Sequence, residues 1–257
     1  MLNSGLTEGV SLSVDDRGVA YITFAHPRSN SLPGAVLAEL ASTVKTLGER
    51  SDVKVVVLGS AGDRAFCAGA SFDELVAIAD EEAGLAFFMG FAHVINALRS
   101  IPQLVIGRVQ GKAVGGGVGL ASATDYCLAT QHAAVKLSEL AVGIGPFVVG
   151  PAVERKLGVS AMSQLSIDAA SWRSAEWACS RGLYAEVLED AAALDAAVDA
   201  LAGRLAASNP QAMSALKRVF WSGTEHWDTL LADRAAISGR LVLSDFTRAA
   251  IAQFKAG

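Results

Sequence analysis

The fold of this chain is constrained most by two apolar strands. Each of them leads through a glycine-bearing turn into a helix. The strand pattern Val53–Leu58 is followed by residues 65–72, AFCAGASF, and the strand pattern Gln103–Val109 by residues 111–120, GKAVGGGVGL. Continuous apolar runs of this kind are typical of strands buried on both faces of a parallel sheet. Both turns are then expected to present free backbone N–H groups at the carboxyl ends of parallel strands, where open α/β sheets bind ligands.

The rest of the chain predicts an α/β core followed by helices. Val10–Val14 and Val19–Phe24 are β-prone runs that indicate an opening hairpin, and Asp125–Ala129 indicates a third buried strand. A helix is expected from about Phe72 to Leu98. After about Val187 only helical patterns remain, over residues 191–207, 210–220, 225–243 and 245–254. We therefore predict an α/β core at 1–190 and a helical C-terminal region at 191–257.

Composition and charge exclude several classes of function. The 257 residues are 52% hydrophobic and 18% charged, so a large core is expected, and the formal net charge of -5 argues against a nucleic-acid binder. The three cysteines are widely spaced and form no metal-binding pattern, which favours a reduced, cytoplasmic setting without a metal site. We expect no signal peptide, and no membrane association because no apolar run approaches about 20 residues.

The two glycine-bearing turns allow a specific chemistry. Two backbone N–H groups that face one carbonyl oxygen form an oxyanion hole, and the loss of one donor typically costs about 2.7–4 kcal/mol of transition-state stabilisation. For either turn alone, the favoured interpretation is that its glycines only turn the chain or allow a helix to pack on the sheet. A nucleotide-phosphate site is excluded, since neither GxGxxG nor GxxxxGK[ST] occurs.

Four segments, in this order along the chain, resemble the enoyl-CoA hydratase/isomerase (crotonase) superfamily. They are residues 26–32 (HPRSNSL), 66–70 (FCAGA), 109–117 (VQGKAVGGG) and 137–144 (LSELAVGI). They resemble, respectively, the family's CoA-contacting loop, its first and second oxyanion segments, and the segment that carries a catalytic glutamate. Around Leu137–Val149 the chain is most similar to bacterial methylglutaconyl-CoA hydratase-like members.

The resemblance implies a fold, an assembly and a ligand. The expected fold is α/β, a crotonase-like ββα-repeat spiral core with a helical C-terminal trimerisation region. The expected assembly is a homo-trimer or hexamer. The implied substrate is an acyl-CoA thioester, and the family requires neither a metal nor a redox cofactor.

The resemblance also assigns roles to single residues. The backbone amides of Ala70 and Gly116 are the implied oxyanion donors, and Glu139 is the implied catalytic carboxylate. Without the resemblance, Glu139 would be interpreted as an ordinary solvated glutamate. The other implied substrate-binding residues, along the CoA moiety, in the acyl pocket or near the C-terminus, are Arg28, Ser29, Ala68, Phe147, Lys217 and Phe254, with Lys255 as a further candidate.

The chain departs from the two-glutamate hydratases of the family at Gly119. Those enzymes carry their other glutamate at this place, and the two carboxylates together hold the attacking water. Hydration or dehydration of a short or branched enoyl-CoA remains our first hypothesis, with Glu139 as proton carrier. Asp73 and Glu74, at the start of the predicted helix, are possible additional acids, although acids at helix starts are commonly there because they interact favourably with the helix dipole.

Several alternatives remain open at this stage. A single carboxylate is what a Δ3,Δ2-enoyl-CoA isomerase requires, and decarboxylation or C–C hydrolysis would use the same thioester enolate. A weakly active CoA-binding subunit is the non-enzymatic alternative. The dehalogenase branch is excluded because Phe147 stands where its nucleophilic aspartate would be. The apolar segment 147–149 (FVV) replaces the family's more usual glycine-rich turn and is expected to narrow the acyl pocket.

Overall fold

The computed structural model describes the backbone of residues 1–256 and the side chains of residues 1–253. The strands are β1 Gly9–Val14, β2 Val19–Ala25, β3 Ser31–Leu32, β4 Val55–Ser60, β5 Ala65–Cys67, β6 Gly69–Ala70, β7 Leu104–Val109, β8 Lys112–Val114, β9 Tyr126–Thr130, β10 Val135–Lys136 and β11 Glu186–Leu188. The helices are α1 Gly34–Gly48, α2 Phe72–Ala77, α3 Glu81–Ser100, α4 Gly116–Ser122, α5 Gly150–Ile167, α6 Ala175–Ser180, α7 Ala191–Ala206, α8 Pro210–Phe220, α9 Trp227–Leu241 and α10 Asp245–Ala256, and a 3-10 turn spans Glu139–Val142.

The long strands form a six-stranded sheet in the order β1-β2-β4-β7-β9-β11. Strand β1 is antiparallel to β2, as the predicted hairpin requires, and the other pairs are parallel. The short strands pair separately, β10-β8-β5 in one small parallel sheet and β3-β6 in another. Long strand, short strand and helix thus repeat along the chain, and the predicted ββα-repeat fold is confirmed.

The two faces of the large sheet are covered by different helices. Val56 and Leu58 of β4 pack in the main core, which also contains apolar residues of α1 and α3. Val55 and Val57, on the opposite face, pack in a second core that includes the inner face of α7. Alternate side chains of a strand point to opposite faces, so the continuous apolar run of β4 serves both layers. Helix α7, the first C-terminal helix, is therefore part of the sheet packing.

The structure divides one predicted helix into two. The pattern from Phe72 to Leu98 predicts continuous helix, whereas the chain forms α2 and α3 with a break at residues 78–80. Ile78 is extended, and the carboxylate of Asp80 accepts a 2.8 Å hydrogen bond from the amide of Ala83. An aspartate in this position starts a new helix, because its side chain satisfies an N–H that has no partner within the helix.

Helix α10 lies against the 3-10 turn that begins at Glu139. The hydroxyl of Thr247 donates a 3.1 Å hydrogen bond to the carbonyl of Gly143, and Ile144 packs in a small core with Val242 and Ile251. The C-terminal helices thus support the segment that carries the candidate catalytic glutamate. Within the described part of the chain, we found no helix with the length and hydropathy required to cross a bilayer.

Lys217 of α8 lies in the protein interior and not in a substrate cavity. Its side chain is 2% exposed, and its ammonium lies 2.9 Å from the carboxylate of Asp125, which is itself 4% exposed. It also donates to the carbonyls of Leu98 and Gln103, at 2.7 and 2.8 Å. The ammonium group of Lys217 thus already has three partners within the protein. The prediction that Lys217 binds substrate is wrong, and the residue instead joins α8 to the core.

Replacing Lys217 with methionine is expected to lower the free energy of unfolding by about 3–5 kcal/mol, because Asp125 would remain as a buried, uncompensated charge. Urea denaturation of the native protein and the variant measures the difference. Lys45→Met, at an exposed position of α1, is the matched control and should change stability by no more than about 0.5 kcal/mol. Equal losses in the two variants would contradict this role.

Candidate active site

The two glycine-bearing turns lie side by side. Strand β5 pairs in parallel with β8, so the segments that follow these strands leave the small sheet next to each other. A Cβ atom built on Gly69 would lie 3.3 Å from the carbonyl oxygen of Val114 and 3.8 Å from the amide nitrogen of Gly116. Gly69 also has a φ of 93°, which disfavours other residues. This glycine therefore permits the close approach of the two turns.

The amides of Ala70 and Gly116 are placed to act as donors. Gly116 is the first residue of α4, where backbone N–H groups have no partner within the helix. Leu32 of β3 accepts from the amide of Ser71 at 2.9 Å, so in this parallel ladder the N–H of Ala70 points away from β3. The hydroxyl of Ser31 donates to the carbonyl of Ala70 at 2.7 Å and fixes the adjoining Ala70–Ser71 peptide. Both predicted donor residues line one cavity.

This cavity has a volume of about 420 Å³ and is the candidate active site. Its polar lining includes Ser31, Ser138 and Glu139, and Arg28 lies at its rim. Most of the remaining wall is hydrocarbon, from Phe72, Leu75, Phe87, Phe88, Phe91, Val142, Ile144, Phe147, Val148 and Val149. An apolar cavity with a few convergent polar groups is the usual form of a small-molecule site.

Glu139 is held next to the second glycine-bearing turn. Strand β10 pairs with β8, and the amide of Gly115 donates a 2.9 Å hydrogen bond to the carbonyl of Lys136. A Cβ atom built on Gly115 would lie 2.8 Å from Oε1 of Glu139, so the carboxylate packs directly against the turn that contains Gly116. The structure thus brings the predicted carboxylate and both predicted donor residues into the same cavity.

Burial gives the Glu139 carboxyl group an unusual affinity for protons. Removal from water raises the pKa of Glu139 to about 7, because the apolar surroundings disfavour the charged form. Its Oε2 atom is buried and has no hydrogen-bond partner among the described residues. A carboxyl group with a pKa near neutrality can release and accept a proton at physiological pH, as general acid–base catalysis requires.

The loop predicted to contact CoA is tied to the first oxyanion turn. The amide of Ala68 donates to the carbonyl of Ser29 at 3.2 Å, and the buried side chain of Asn30 donates to the carbonyls of Ala61 and Ala65. Arg28 and Ala68 line the cavity, whereas Ser29 lies just outside it, in an adjacent depression. The loop and the turn are thus a single unit at the mouth of the cavity.

Of the other predicted site residues, Phe147 is in the cavity wall. Asp73 and Glu74 lie outside the cavity lining: Asp73 forms an exposed ion pair with Arg28 at 2.5 Å, and Glu74 accepts a 2.8 Å hydrogen bond from the amide of Gly34. They do not supply a second carboxylate to Glu139. The side chains of Phe254 and Lys255 lie outside the described residues, so the prediction for this segment stays a prediction.

Two packing contacts at the site were missed by the sequence interpretation. The ring of Phe91, on α3, packs so closely on Gly116 that a Cβ atom there would overlap it. Val149 packs against Gly119, where a Cβ atom would lie 2.5 Å from its Cγ1 atom. The apolar run 147–149 was a signal for a narrowed pocket, but nothing in the sequence indicated that Phe91 reaches the oxyanion turn from a helix about 25 positions earlier.

Comparisons with known proteins point to one family. The family model described as Enoyl-CoA hydratase/isomerase matches residues 15–246. A Bacillus subtilis (strain 168) protein named as a probable enoyl-CoA hydratase is 28% identical over 214 residues, 83% of this chain and 82% of that protein. The dehydratase PksH of bacillaene synthase, from the same organism, is 36% identical over 141 residues, 54% of each chain.

A solved structure of an enoyl-CoA hydratase from Mycobacterium avium has a similar fold. It superposes with a TM-score of 0.86 at 26% sequence identity, covering 98% of this chain and 97% of that one. This fold is that of an enzyme of the crotonase type, and its apolar cavity contains the predicted donor residues and the predicted carboxylate. Since the family model covers most of its length, the chain belongs to the enoyl-CoA hydratase/isomerase family.

Proposed function

We propose that this enzyme hydrates and dehydrates a short or branched enoyl-CoA, with Glu139 as its single acid–base group. The observation that carries this proposal is the position of the Glu139 carboxylate. It packs beside the turn of Gly116, and its buried Oε2 atom has no hydrogen-bond partner among the described residues. The relatives named as enoyl-CoA hydratase and as dehydratase support the same reaction class.

The two main-chain donors would stabilise the charge that forms during the reaction. In hydration, the oxygen of water bonds to C3 of the enoyl group, and the C2–C3 π electrons move to form the enolate. The negative charge then lies largely on the thioester oxygen, where the amides of Ala70 and Gly116 can donate to it. Such donors act strongly in an apolar site because they are already oriented before the charge appears.

Glu139 alone can balance the protons of this reaction. Its carboxylate accepts the proton that the attacking water loses, and the resulting carboxylic acid returns that proton to C2 when the enolate collapses. The net change is the addition of one water, and Glu139 ends ionised as it began. A single carboxylate has two oxygens, so it can serve both carbons when the hydrogen and the hydroxyl add to the same face.

The acyl group is proposed to be short or branched because bulky side chains surround the cavity. Phe147, Val148 and Val149 line it, and Phe88 and Phe91 approach from helix α3. Arg28 and Ala68, at the mouth, are proposed to lie along the CoA portion, as the family resemblance implies. An alkyl branch would replace water against the hydrocarbon wall, which is favourable in proportion to the apolar area that is buried.

Isomerisation of a 3-enoyl-CoA to a 2-enoyl-CoA is the second candidate. The observation that favours it is Val149, which stands beside Gly119 and leaves Glu139 as the only carboxylate in the described cavity lining. Glu139 would remove a proton from C2 and return one to C4 through the same enolate. Decarboxylation or C–C hydrolysis of a suitable thioester, or weak binding without turnover, would appear as other outcomes of the same assays.

Glu139→Gln is expected to lower kcat/KM at least about a hundredfold, because the amide can neither accept nor return the proton. Steady-state assays with crotonyl-CoA, 3-methylglutaconyl-CoA and a 3-enoyl-CoA measure the loss and separate hydration from isomerisation. Glu154→Gln, at an exposed position of α5, is the control and should retain native rates. Full turnover of the preferred thioester by the Glu139 variant would exclude this residue as the proton carrier.

The pH dependence follows from the raised pKa of Glu139. Its ionised form starts the reaction, so kcat/KM should rise about tenfold per pH unit in the acidic range and level off above about 7. The profile is measured from about pH 5 to 9 with the native enzyme and with Glu154→Gln, which should superpose. A profile that is already nearly flat from pH 5, as the ordinary glutamate pKa of about 4.3 would give, would show that the catalytic carboxylate is solvated.

We further propose that the chain assembles as a homo-trimer or hexamer, as the family resemblance implies. Leu216, Val219 and Phe220 share one face of α8 and are 49%, 67% and 51% exposed. Light scattering should give three or six times the 26.5 kDa mass of the chain. Val219→Glu should lower this mass, whereas Thr46→Glu, at an exposed position of α1, should leave it unchanged. A monomeric native protein would contradict the proposal.

A further inference from the structure

Gly119 and Val149 form a close contact at the wall of the candidate active site, where Val149 lines the cavity. Gly119 is a buried residue of α4, and Val149, 4% exposed, is the residue before α5. A Cβ atom built on Gly119 would lie 2.5 Å from Cγ1 and 2.8 Å from Cβ of Val149, but 3.6 Å from its Cα atom. The first two separations are too short for real carbon atoms, and the third is an ordinary contact. The conflict thus comes from the valine side chain, not from the main chain.

We propose that Val149 determines which reactions this site can perform, an inference that rests on the proposed function. The valine side chain fills the space that any side chain at position 119 would enter, so it excludes a second carboxylate at that position. The substrate therefore contacts one acid–base group, Glu139. Next to Gly119 it contacts only the hydrocarbon side chain of Val149. Val149 is thus a specificity-determining residue that keeps the enzyme to one-carboxylate chemistry.

The composition of the cavity supports this role. Val149 is part of the cavity lining together with Phe147 and Val148, and hydrocarbon does not hold a water molecule in place. Val149 therefore offers no partner to the water that adds to C3, which Glu139 binds in the proposed reaction. A carboxylate at position 119, with Val149 reduced to glycine, would supply a second acceptor for that water. The two positions should therefore be coupled both in stability and in activity.

The first test is a double-mutant cycle on folding, which does not depend on any assay of turnover. Gly119→Ala should lower the Tm by several degrees in the native background, because its methyl group meets Val149. The same change should have little effect in a Val149→Gly background, where only an ordinary contact with Cα remains. Thermal unfolding of the four proteins measures the coupling. Equal Tm losses in both backgrounds would overturn the proposal.

The second test is a gain of hydration. Gly119→Glu alone should be poorly folded, while Gly119→Glu/Val149→Gly should fold and hydrate crotonyl-CoA about tenfold or more faster than Val149→Gly. A folded double variant with no gain over Val149→Gly would overturn the proposal. If the native enzyme turns over none of the thioesters, the proposed function fails, but the folding cycle still decides whether Val149 excludes side chains at position 119.

Discussion

The close approach of two main-chain turns is the constraint on which the rest of this structure depends. The peptide groups at Ala70 and Gly116 can serve one oxygen atom only if the backbones that carry them nearly touch, and Gly69 makes this possible. Parallel pairing of β5 with β8 sets the register of the two turns. The large sheet, with helices on both faces, holds these short strands in position. Main-chain donors fixed in this way need no reorganisation when charge develops.

The second feature is a carboxyl group whose chemistry is set by its surroundings. Glu139 lines a largely apolar cavity and packs against the turn of Gly115, and burial of its carboxyl group raises its pKa to about 7. The segment that carries it is fixed on two sides, by the hydrogen bond from Gly115 to Lys136 and by the contact of Thr247 with Gly143. The same helix that begins at Gly116 also contains Gly119, so the proposed oxyanion donor and the position proposed to exclude a second carboxylate lie on one short element.

Much of the fold could be predicted from the sequence because its signals are local. The apolar runs of β4 and β7 and the C-terminal helical patterns identify elements that the structure contains, and the order of four short segments indicates the family. Short strands such as β6 carry no periodic signal, since two residues cannot show one. The break at Asp80 was missed because the helical apolar pattern continues across it, although the aspartate is a good helix-start residue.

The candidate site was predictable to the extent that its residues belong to sequence motifs. Ala70, Gly116 and Glu139 were all proposed from such motifs, and the structure brings them to one cavity. The packing contacts within the site were not predicted, because the residues that make them are distant along the chain. Phe91 contacts Gly116 from α3, and Val149 meets Gly119 from a different turn. Lys217 was wrongly assigned to substrate binding for a similar reason. The sequence around this lysine gives no indication that Asp125 holds it in the interior.

The most direct test of the central claim is a crystal structure of the enzyme with a non-reactive acyl-CoA thioester bound. The account predicts that the thioester oxygen lies about 2.7–3.1 Å from both the amide nitrogen of Ala70 and that of Gly116, with the Glu139 carboxylate beside the adjoining carbons. A thioester oxygen that contacts neither amide, or a ligand bound outside this cavity, would contradict it.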